Sequence, residues 1–573
     1  MDKGFILGIW DGHDAGAALI KGEQIIFAIN EERLTRRKLE VGFPDRSIRA
    51  CLGFAGIFPE HIKYIAASTS DPAKTLTRIF PSLKEEYYLI RRRKKPLGRL
   101  GPLKRRFKYW FTEFGPNLIS RYLSRKYFLK KLKDMGFEDF SLHIVGHHEA
   151  HAQSASRCSG FKDALVITLD GVGDGLSGSI WEFRSGKLIP IRELTSRVSF
   201  GIFFEHVTNL LNMRELEDEG KVMALANYAY PVADNVNPLI KMIKIRGLQP
   251  VSRYRSWAMH KELKRILWQY PSEQFAYMAQ KALEKWVAQL VENALRFTGL
   301  GEIALAGGIF SNIKLNMRID QIKGVKRTFV FPHMGDGGLA VGAAMSLNFE
   351  RFSVQRYHLN NLYFGSGYKK EHIRTILLNS GLPFTEIKNL PDKASQLIRD
   401  GQIVLWFQGR MEFGPRALGN RSILARPDQR RIKDRLNLAL KKRVWYQPFC
   451  PSILREDASE VLVIDGRNID DNPFMTTAFP VKKDYQHLLE GVTNIDGTCR
   501  PHLVGDENPL FRELLVSIKG WLGKGIVLNT SFNIHGEPVV CSPEDALITL
   551  KKTRVRYLFL EEFLIENPDA ENR

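Results

Sequence analysis

The feature that most constrains the fold is a strand–turn–strand unit that occurs twice in the chain. Residues 5–33, FILGIWDGHDAGAALIKGEQIIFAINEER, and residues 164–193, ALVITLDGVGDGLSGSIWEFRSGKLIPIRE, share one pattern. Each has a β-branched strand, an Asp-Gly turn rich in small residues, a second strand, a short hairpin containing glycine and a third strand. Such internal similarity predicts the two halves of a duplicated α/β domain. A chain of 573 residues is also too long for one hydrophobic core, so a further domain is expected.

The two Asp-Gly turns predict a centre that binds phosphate or a cation. The turns run from Asp11 to Gly16 and from Asp170 to Gly178, and in each the backbone N–H groups would be directed towards one point. Glycine lets a phosphate approach the main chain closely, and the neighbouring carboxylates can hold a divalent cation. Asp-Gly is also common hairpin chemistry, so a single copy would carry little weight.

Between the two halves, VGHHEAHAQSA (145–155) concentrates three histidines in five positions. His147 and His151 are four residues apart, so on a helix they would lie on one face, at a spacing that lets two imidazoles share a metal ion. His148 and His151 are three apart, so the cluster is not the H-E-x-x-H zinc motif. A polar helix start with histidines facing solvent is the alternative, and the cluster alone does not decide between the two.

Two later segments suggest further parts of a nucleotide site. EIALAGGIFSNIKLNMRI (302–319) reads as a buried strand, the pair Gly307 and Gly308, and a helix beginning near Ser311. Paired glycines at such a turn allow close contact with a nucleoside, and Asn312 could reach a ribose or phosphate from the first helical turn. In FVFPHMGDGGLAVGAAMSL (329–347), Asp336 occupies a glycine-rich turn at a helix start. The apolar periodicity of residues 275–299 predicts a scaffold helix.

From about residue 360, arginine, lysine and small polar residues recur at strand ends and turns. QIVLWFQGRMEFGPRALGNRSILARP (402–427) and three later segments carry these groups, which suit the bidentate recognition of phosphate or carboxylate. Any one arginine could equally form a surface salt bridge, but four segments of the same character favour a small anion pocket. The residues are Arg410, Arg416, Arg421, Lys441, Lys442, Arg443, Arg500, Asn529, Thr530, Ser531 and Asn533.

Charge and composition narrow the class of protein. The net charge of +21 is concentrated in residues 91–133, a segment that could lie on an anionic lipid surface or grip a polyanion, or could simply be a solvated basic insertion. Five scattered cysteines without a C-x-x-C pair indicate core or incidental thiols. The absence of a long uncharged apolar stretch and of a signal-peptide layout predicts a cytoplasmic protein, with peripheral membrane association left open.

These features resemble a known family. The paired Asp-Gly units, the Gly-Gly loop and the closing aspartate turn look like the actin/Hsp70/sugar-kinase ATPase fold. The H-x-x-x-H pair is similar to the branch shared by the threonylcarbamoyl-tRNA synthesis ATPase and the O-carbamoyltransferases of nodulation and antibiotic biosynthesis. GRMEFGPRALGNRSILA (409–425) and LNTSFN (528–533) resemble the carboxy-terminal domain of those carbamoyltransferases. The resemblance implies a duplicated actin/Hsp70-like ATPase fold (1–358, with a basic insertion at 72–140), followed by a smaller α/β YrdC-like domain (359–573).

The resemblance also implies site residues. A divalent metal, with Fe²⁺ the first expectation and another first-row metal the alternative, would be held by His147, His151, Asp170 and Asp336. His148 and Glu149 would then be supporting or solvent-facing groups. ATP, with Mg²⁺, would contact Asp11, Gly12, Gly171, Gly173, Lys221, Gly307, Gly308 and Asn312. Carbamoyl phosphate would be bound by Arg416, Lys441, Arg500, Asn529 and Ser531. His13, in the first turn, is the candidate catalytic base that accepts a proton from the acceptor hydroxyl.

The expected activity is an ATP-dependent O-carbamoyl transfer. By the resemblance, carbamoyl phosphate is cleaved in the C-terminal domain, and the carbamate passes internally to the N-terminal domain. There it reacts with ATP to give carbamoyl-adenylate, which a hydroxyl of a glycan or natural product attacks. An anionic or lipid-linked acceptor bound through residues 91–133 and a homodimer are further expectations. The alternatives are a tRNA threonylcarbamoyl-type enzyme, or a nonenzymatic ATP-binding module that acts on membrane or nucleic acid; a nucleic-acid partner is the least favoured of these.

Overall fold

The computed structural model describes residues 4–96, 98, 107 and 110–570. The chain divides into two compact units. The first comprises Met1–Glu31 and Leu39–His358, and the second comprises Glu32–Lys38 and Leu359–Arg573. Basic residues of the insertion at 99–106 and at 108, including Arg99 and Lys104, lie outside the described part of the chain.

The segment 32–38 belongs to the second unit, whereas the sequence analysis assigned it to the first domain. The reason is a set of backbone contacts made by arginine. The guanidinium of Arg36 donates hydrogen bonds to the carbonyl oxygens of Val539 (2.6 Å) and Pro538 (2.9 Å). Arg33 donates to the carbonyl oxygen of Gly414 at 3.0 Å. Contacts of this kind depend on tertiary position and leave no local pattern in the sequence.

The first unit contains two five-stranded sheets with the same topology, as the duplicated pattern predicts. The strand orders are β3-β2-β1-β4-β5 and β8-β7-β6-β11-β12. In each sheet the first three strands form an antiparallel meander, and the two remaining strands run parallel to the first strand of that meander. The strands are Phe5–Trp10 (β1), Gly16–Lys21 (β2), Gln24–Asn30 (β3), Tyr64–Ser68 (β4), Ser141–Val145 (β5), Asp163–Gly173 (β6), Leu176–Arg184 (β7), Lys187–Thr195 (β8), Glu302–Ala306 (β11) and Arg327–Val330 (β12). This is the duplicated α/β architecture of the actin/Hsp70-like fold.

Helices cover these sheets and connect their strands. The chain between β8 and β11 also forms a small two-stranded sheet, Lys244–Arg246 (β9) and Gln249–Val251 (β10). A Cβ at Gly342 would lie 1.9 Å from the carbonyl oxygen of Ala150, so glycine allows two central helices to touch. The helices are Glu31–Thr35, which crosses into the second unit, Asp45–Ala55, Pro72–Ile79, Pro81–Arg91, Leu118–Asp134, His147–Cys158, Phe200–Leu210, Glu219–Leu225, Ser256–Leu267, Ser272–Thr298, Ile313–Asp320 and Leu339–Phe352.

The second unit is built on a mixed eight-stranded sheet of order β13-β22-β21-β14-β15-β20-β16-β19. Side chains alternate between two apolar cores: Trp406 of β14 packs in one, and the adjacent Leu405 and Phe407 pack in the other. Its strands, including the separate pair β17-β18, are Phe384–Glu386, Val404–Phe407, Arg421–Ala425, Cys450–Leu454, Phe479–Pro480, Thr498–Cys499, His502–Val504, Ile526–Ser531, Tyr557–Leu560 and Phe563–Glu566 (β13 to β22). Its helices are Lys370–Ser380, Leu390–Arg399, Arg430–Arg435, Arg455–Val461, Pro509–Leu522 and Pro543–Thr553.

Candidate functional site

The four side chains expected to hold a metal lie together in the first unit. One donor atom from each of His147, His151, Asp170 and Asp336 falls within 4.8 Å of the others. The His151 Nε2 atom lies 3.2 Å from Asp170 Oδ2 and 3.8 Å from Asp336 Oδ1. The His147 Nε2 atom lies 3.5 Å and 3.6 Å from the same two oxygens. The spacing of the two histidines thus places both rings on one helical face, opposite carboxylates from β6 and from the turn before the last helix of the unit.

This arrangement fits a metal ion. Two ligands bonded at about 2.1 Å with tetrahedral geometry are about 3.4 Å apart, which is close to the four nitrogen–oxygen separations. Within the described part of the chain, the buried Nε2 atom of His147 has no hydrogen-bond partner. Burial opposes protonation of His151, but hydrogen bonds to Asp170 and Asp336 raise the pKa of His151 to about 9. The two histidines hold the pKa of Asp170 well below its usual range, although burial opposes this.

A further aspartate, Asp174, holds the start of the helix that carries the histidines. The backbone N–H of His147 donates to Asp174 Oδ2 at 2.8 Å, and the N–H groups of Ser70 and Asp71 donate to Asp174 Oδ1 at 3.0 and 3.1 Å. The Thr69 hydroxyl lies 3.2 Å from the other ring nitrogen of His147. Such supporting bonds orient a ligating ring. The sequence analysis missed Asp174, although the repeated Asp-Gly in DGVGDG was the available signal.

His148 corrects one expectation for the histidine cluster. It does not face solvent, because it is buried and its two ring nitrogens lie 2.9 Å from the Thr168 hydroxyl and 3.3 Å from the Leu176 carbonyl oxygen. Burial and the adjacent His147 and His151 lower the pKa of His148 well below its usual value. This histidine therefore belongs to the packing of the helix against β6 and β7.

His13 reaches the same centre from the first turn. Its Nε2 atom lies 3.2 Å from Asp336 Oδ2, and its Nδ1 atom lies 3.6 Å from Asp14 Oδ2. Burial favours the neutral ring, but the Asp336 and Asp14 carboxylates outweigh it and raise the pKa of His13. The ring of Tyr88 contacts His13 edge to face, with 5.7 Å between centroids. The first and last loops of the duplicated unit therefore meet at one point.

The expected nucleotide glycines lie at positions where a side chain would clash. Gly307 has φ of +103°, and a Cβ there would lie 2.2 Å from the carbonyl oxygen of Leu169. A Cβ at Gly173 would lie 2.2 Å from the ring of His147. Gly171 and Gly308 lie near carboxylates: their Cβ positions would be 3.2 Å from a Glu205 oxygen and 3.0 Å from Asp170 Oδ1, respectively. At Gly173 and Gly308 the backbone is thus packed directly against His147 and Asp170 of the candidate donor set.

Asp11, an expected nucleotide contact, has cationic partners within the protein. Arg78 donates from Nε and Nη2 to the two Asp11 oxygens, at 2.8 and 2.9 Å. The Lys74 Nζ atom lies 3.3 Å from Asp11 Oδ1 and 3.9 Å from the centroid of a Trp10 ring. Gly12 lets that ring fold back, since a Cβ there would lie 1.9 Å from it. The pair Lys74 and Arg78, four residues apart on one helix, was not identified from the sequence.

Two further nucleotide candidates are already engaged. Asn312 caps a helix by accepting a hydrogen bond from the Leu315 N–H at 3.1 Å, and its amide donates to Gln280 Oε1 at 2.8 Å. The Lys221 Nζ atom lies 2.9 Å from Asp218 Oδ1. Both side chains are largely buried, and each contacts a partner within the protein.

The second unit contains a cluster of cations around one sulfur atom. Arg500 donates from Nε and Nη2 to Cys450 Sγ, at 3.1 and 3.0 Å. Burial and the charge of Arg500 lower the pKa of Arg416 to about 9. Burial lowers the pKa of Arg443 to about 9, and Asn437 Oδ1 accepts from its Nε at 2.6 Å. Among the described residues, none of these three arginines forms an ion pair with a carboxylate, so a bound anion would relieve their repulsion.

Three other expected pocket residues border this cluster. Asn529 lies opposite Cys450 in the register of β20 and β16, and its amide donates to the Ala417 carbonyl oxygen at 3.1 Å. Lys441 donates to the Ser531 carbonyl oxygen, and to the Asn533 carbonyl oxygen (2.9 Å) and Oδ1 (2.8 Å). The Ser531 hydroxyl also donates to Asn533 Oδ1, at 2.8 Å. In this state Lys441 and Ser531 shape the turn after β20.

Arg410 and Arg421, which the sequence analysis named among the cations of this region but did not assign to the carbamoyl-phosphate site, have structural partners. Arg421 is fully buried, stacks on Phe407 with its guanidinium 3.4 Å from the ring centroid, and donates to backbone carbonyl oxygens. Arg410 donates to the carbonyl oxygens of Phe364 (2.7 Å) and Gly365 (3.1 Å). Both arginines hold loops together, whereas the expected Arg416 and Arg500 meet at Cys450.

The described part of the basic insertion is partly paired within the first unit. Arg91 forms ion pairs with Glu205 and Glu215, and Arg92 pairs with Glu217 at 2.5 Å. Exposed apolar side chains follow in the same insertion: Phe107, Trp110, Phe114, Leu118, Ile119 and Tyr122. In the described residues, helices of sufficient length and apolar character to cross a membrane do not occur.

Comparisons with known proteins agree with the two units. The Carbamoyltransferase N-terminus model matches residues 5–345, and the Carbamoyltransferase C-terminus model matches residues 395–567. Nodulation protein NolNO of Sinorhizobium fredii is 32% identical over 97% of this chain and 79% of its own. The 3'-hydroxymethylcephem-O-carbamoyltransferase of Streptomyces clavuligerus is 29% identical over 56% of this chain and 60% of its own.

Among solved structures, component A of (R)-2-hydroxyglutaryl-CoA dehydratase from Acidaminococcus fermentans covers 61% of this chain and 99% of its own length. It is 12% identical, and its TM-score of 0.36 is too low to support an argument about function. The two family models cover the larger part of each compact unit. This chain belongs to the carbamoyltransferase family.

Proposed function

We propose that this carbamoyltransferase is an ATP-dependent O-carbamoyltransferase. In the proposed reaction, water cleaves carbamoyl phosphate to carbamate and phosphate in the second unit. Carbamate then attacks the α-phosphate of ATP in the first unit, giving carbamoyl-adenylate and pyrophosphate, and an acceptor hydroxyl displaces AMP. One observation carries the proposal: a chain of this family holds both a His/Asp donor set and a cluster of arginines that have no carboxylate partner among the described residues.

In the second unit, the arginines bind and orient the anionic substrate. Arg416, Arg443 and Arg500 present guanidinium groups that can bind phosphate oxygens in a bidentate manner. Asn529, beside them, has a buried Oδ1 atom without a hydrogen-bond donor among the described residues, which suits the NH₂ group of a carbamoyl moiety. Because burial and mutual repulsion disfavour the charged form of these arginines, a bound anion would stabilise them more than water does.

In the first unit, the residues around Asp336 orient the nucleotide and the acceptor. His147, His151, Asp170 and Asp336 would hold a divalent first-row metal, which supplies positive charge beside the nucleotide phosphates. Lys74, partly buried next to Asp11, adds a cation whose charge acts on Asp336. His13 accepts the proton of the attacking hydroxyl at a ring nitrogen, and the carboxylates of Asp336 and Asp14 stabilise the resulting imidazolium.

The acceptor is proposed to be a hydroxyl of a glycan or natural product. One relative is a 3'-hydroxymethylcephem-O-carbamoyltransferase, which supports a small-molecule hydroxyl rather than tRNA as the acceptor. The exposed apolar residues of the insertion suit a lipid-linked acceptor or an anionic membrane surface. If so, Leu118→Ser with Ile119→Ser should lower co-sedimentation with phosphatidylglycerol vesicles. Equal co-sedimentation of the wild type and the double variant would remove this part of the proposal.

The deciding experiment measures pyrophosphate release from ATP with and without carbamoyl phosphate, in the absence of acceptor. We expect release only with both substrates, and a loss of about 100-fold or more in His151→Ala, because one of four ligating side chains is removed. His148→Gln is the matched control: it lies on the same helix and is equally buried, but it contacts Thr168 and Leu176 rather than the two carboxylates.

Each contrary result has a distinct meaning. Pyrophosphate release that does not depend on carbamoyl phosphate would contradict carbamoyl-adenylate formation and favour another nucleotide-dependent activity. Release that survives His151→Ala would remove the donor set from the reaction. Equal loss in His148→Gln would indicate that the helix, rather than the ligating ring, had been disturbed.

A further inference from the structure

Cys450 lies beside several arginines that form no ion pair with a carboxylate among the described residues. Its sulfur accepts hydrogen bonds from Arg500, and the charges of Arg416 and Arg443 also act on it. Arg416 has a buried Nε atom without a hydrogen-bond partner in the described part of the chain. The sulfur is therefore held where an anion would be bound, although sequence patterns indicated only core or incidental cysteines.

A second observation indicates that this place is made for a ligand. Asn529 pairs directly with Cys450 across β16 and β20, so the two side chains lie on the same face of the sheet. Asn529 is 1% exposed, and its amide donates to the Ala417 carbonyl oxygen and to the Ser452 hydroxyl. Its buried Oδ1 atom has no donor among the described residues, which is costly unless a ligand supplies one.

We propose that Cys450 is a modification site inside the anion pocket, one that reacts preferentially with small, negatively charged electrophiles. An anion bound in the pocket and a substituent on the sulfur exclude one another. Three guanidinium groups attract a negatively charged reagent to the sulfur, whereas a neutral reagent gains nothing from them.

The reaction with iodoacetate illustrates the chemistry. A sulfur electron pair forms the S–C bond while the C–I bond breaks, iodide leaves, and the thiol proton passes to the buffer. The carboxymethyl product places a carboxylate beside Arg500, on the donors that a phosphate would otherwise use. The modified protein should therefore lose its affinity for phosphate.

The other four cysteines are internal controls. All five cysteines are buried, and burial raises the pKa of these four thiols, which disfavours the reactive thiolate. Among the described residues, none of the four accepts a hydrogen bond from an arginine, whereas Cys450 does. The four are Cys51, Cys158, Cys499 and Cys541.

The inference rests on the anion-binding part of the proposed function and not on ATP use or on the acceptor. The test follows carboxymethylation of each cysteine by peptide mass spectrometry, with iodoacetate and with neutral iodoacetamide. We expect iodoacetate to label Cys450 about tenfold faster than any other cysteine, to label it faster than iodoacetamide does, and to be slowed by inorganic phosphate. Arg500→Gln should abolish the preference for iodoacetate. Arg374→Gln, an exposed arginine paired with Glu386, should retain it.

Separate binding measurements distinguish the possible failures. Equilibrium dialysis with labelled phosphate is performed on the wild type and on Cys450→Ala, which leaves the arginines in place. If both proteins bind phosphate but phosphate does not slow labelling of Cys450, the inference is overturned and the proposed anion site stands. If neither protein binds phosphate, the anion site and the inference both fail. Labelling of Cys450 no faster than that of the other cysteines, or faster with iodoacetamide than with iodoacetate, also overturns the inference.

Discussion

The two candidate centres have opposite arrangements of charge. In the first unit, histidines and carboxylates face one another, and the pKa of His151 rises to about 9 while that of Asp170 falls. In the second unit, arginines face one another around a sulfur atom, and the pKa values of Arg416 and Arg443 fall to about 9. The first centre suits a bound cation because carboxylates and imidazoles are common metal ligands, and the second suits a bound anion because its charges repel without one.

The largest effects are expected when one side chain is removed from each centre. Arg500→Ala should weaken the binding of inorganic phosphate by about 100-fold and leave the metal content unchanged, because a charged donor to the anion is lost. His147→Ala should do the reverse, lowering bound first-row metal with little effect on phosphate affinity. Metal analysis and phosphate dialysis are run on both variants. A loss of both properties in either variant would contradict two separate centres.

A smaller effect is expected from a change in the position of the His147 ring in the first centre. Gly173→Ala introduces a Cβ that would lie 2.2 Å from the His147 ring, so the ring must shift relative to the two carboxylates. We expect about a tenfold loss in metal affinity, measured by titration against a chelator. Gly220→Ala is the control, since a Cβ there meets nothing within 4 Å. Unchanged affinity in Gly173→Ala would show that the position of the His147 ring does not determine binding.

The sequence predicted the first centre better than the second, for a physical reason. The strand pattern and the H-x-x-x-H spacing are local, and the position of β6 and of the Asp336 turn follows from the repeated unit. In the second unit, Arg416 and Arg421 stand five residues apart in one glycine-rich stretch, yet only Arg416 is near Arg500. What separates them is burial against Phe407 and the backbone, which depends on the whole sheet.

The dependence on long-range contacts also explains why the partners of two residues in the first unit, Asp11 and Asp174, were not predicted. Asp11 follows the first strand as expected, but a guanidinium from the insertion, which local patterns could not place, neutralises it. Asp174 was overlooked because its three bonds to backbone N–H groups join segments that are distant in the sequence. Positions fixed by repeats and helical spacing were therefore predictable, and those fixed by long-range ion pairs and backbone contacts were not.

The difference between structural and pocket arginines predicts a moderate effect on stability. Arg410→Ala removes hydrogen bonds to the carbonyl oxygens of Phe364 and Gly365, so the free energy of unfolding should fall by about 1–3 kcal/mol. Its affinity for phosphate should stay at the wild-type value. Chemical denaturation and phosphate dialysis of the same preparation check both expectations. Weaker phosphate binding by the folded variant would place Arg410 in the pocket after all.

The smallest expected effect is on the pH dependence of the free energy of unfolding. It arises from burial of a carboxyl group and does not require a bound ligand. Burial raises the pKa of Glu561 to about 7, although the charge of Arg421 opposes the rise. The folded state therefore holds the Glu561 proton more tightly than the unfolded chain, so the stabilisation is complete below the unfolded pKa and is lost as pH rises towards 7. Because the side chain is only partly buried, we expect about 1–2 kcal/mol across this window.

Glu561→Gln keeps the shape of the side chain and removes its titration, so its free energy of unfolding should fall less between pH 5 and about 7 than that of the wild type. Glu371→Gln, on a helix of the same unit and exposed, is the control and should follow the wild-type curve. Parallel curves for Glu561→Gln and the wild type would contradict a raised pKa for this carboxyl. A difference confined to the phosphate-bound protein would instead link Glu561 to the anion pocket, since burial alone acts equally with and without the ligand.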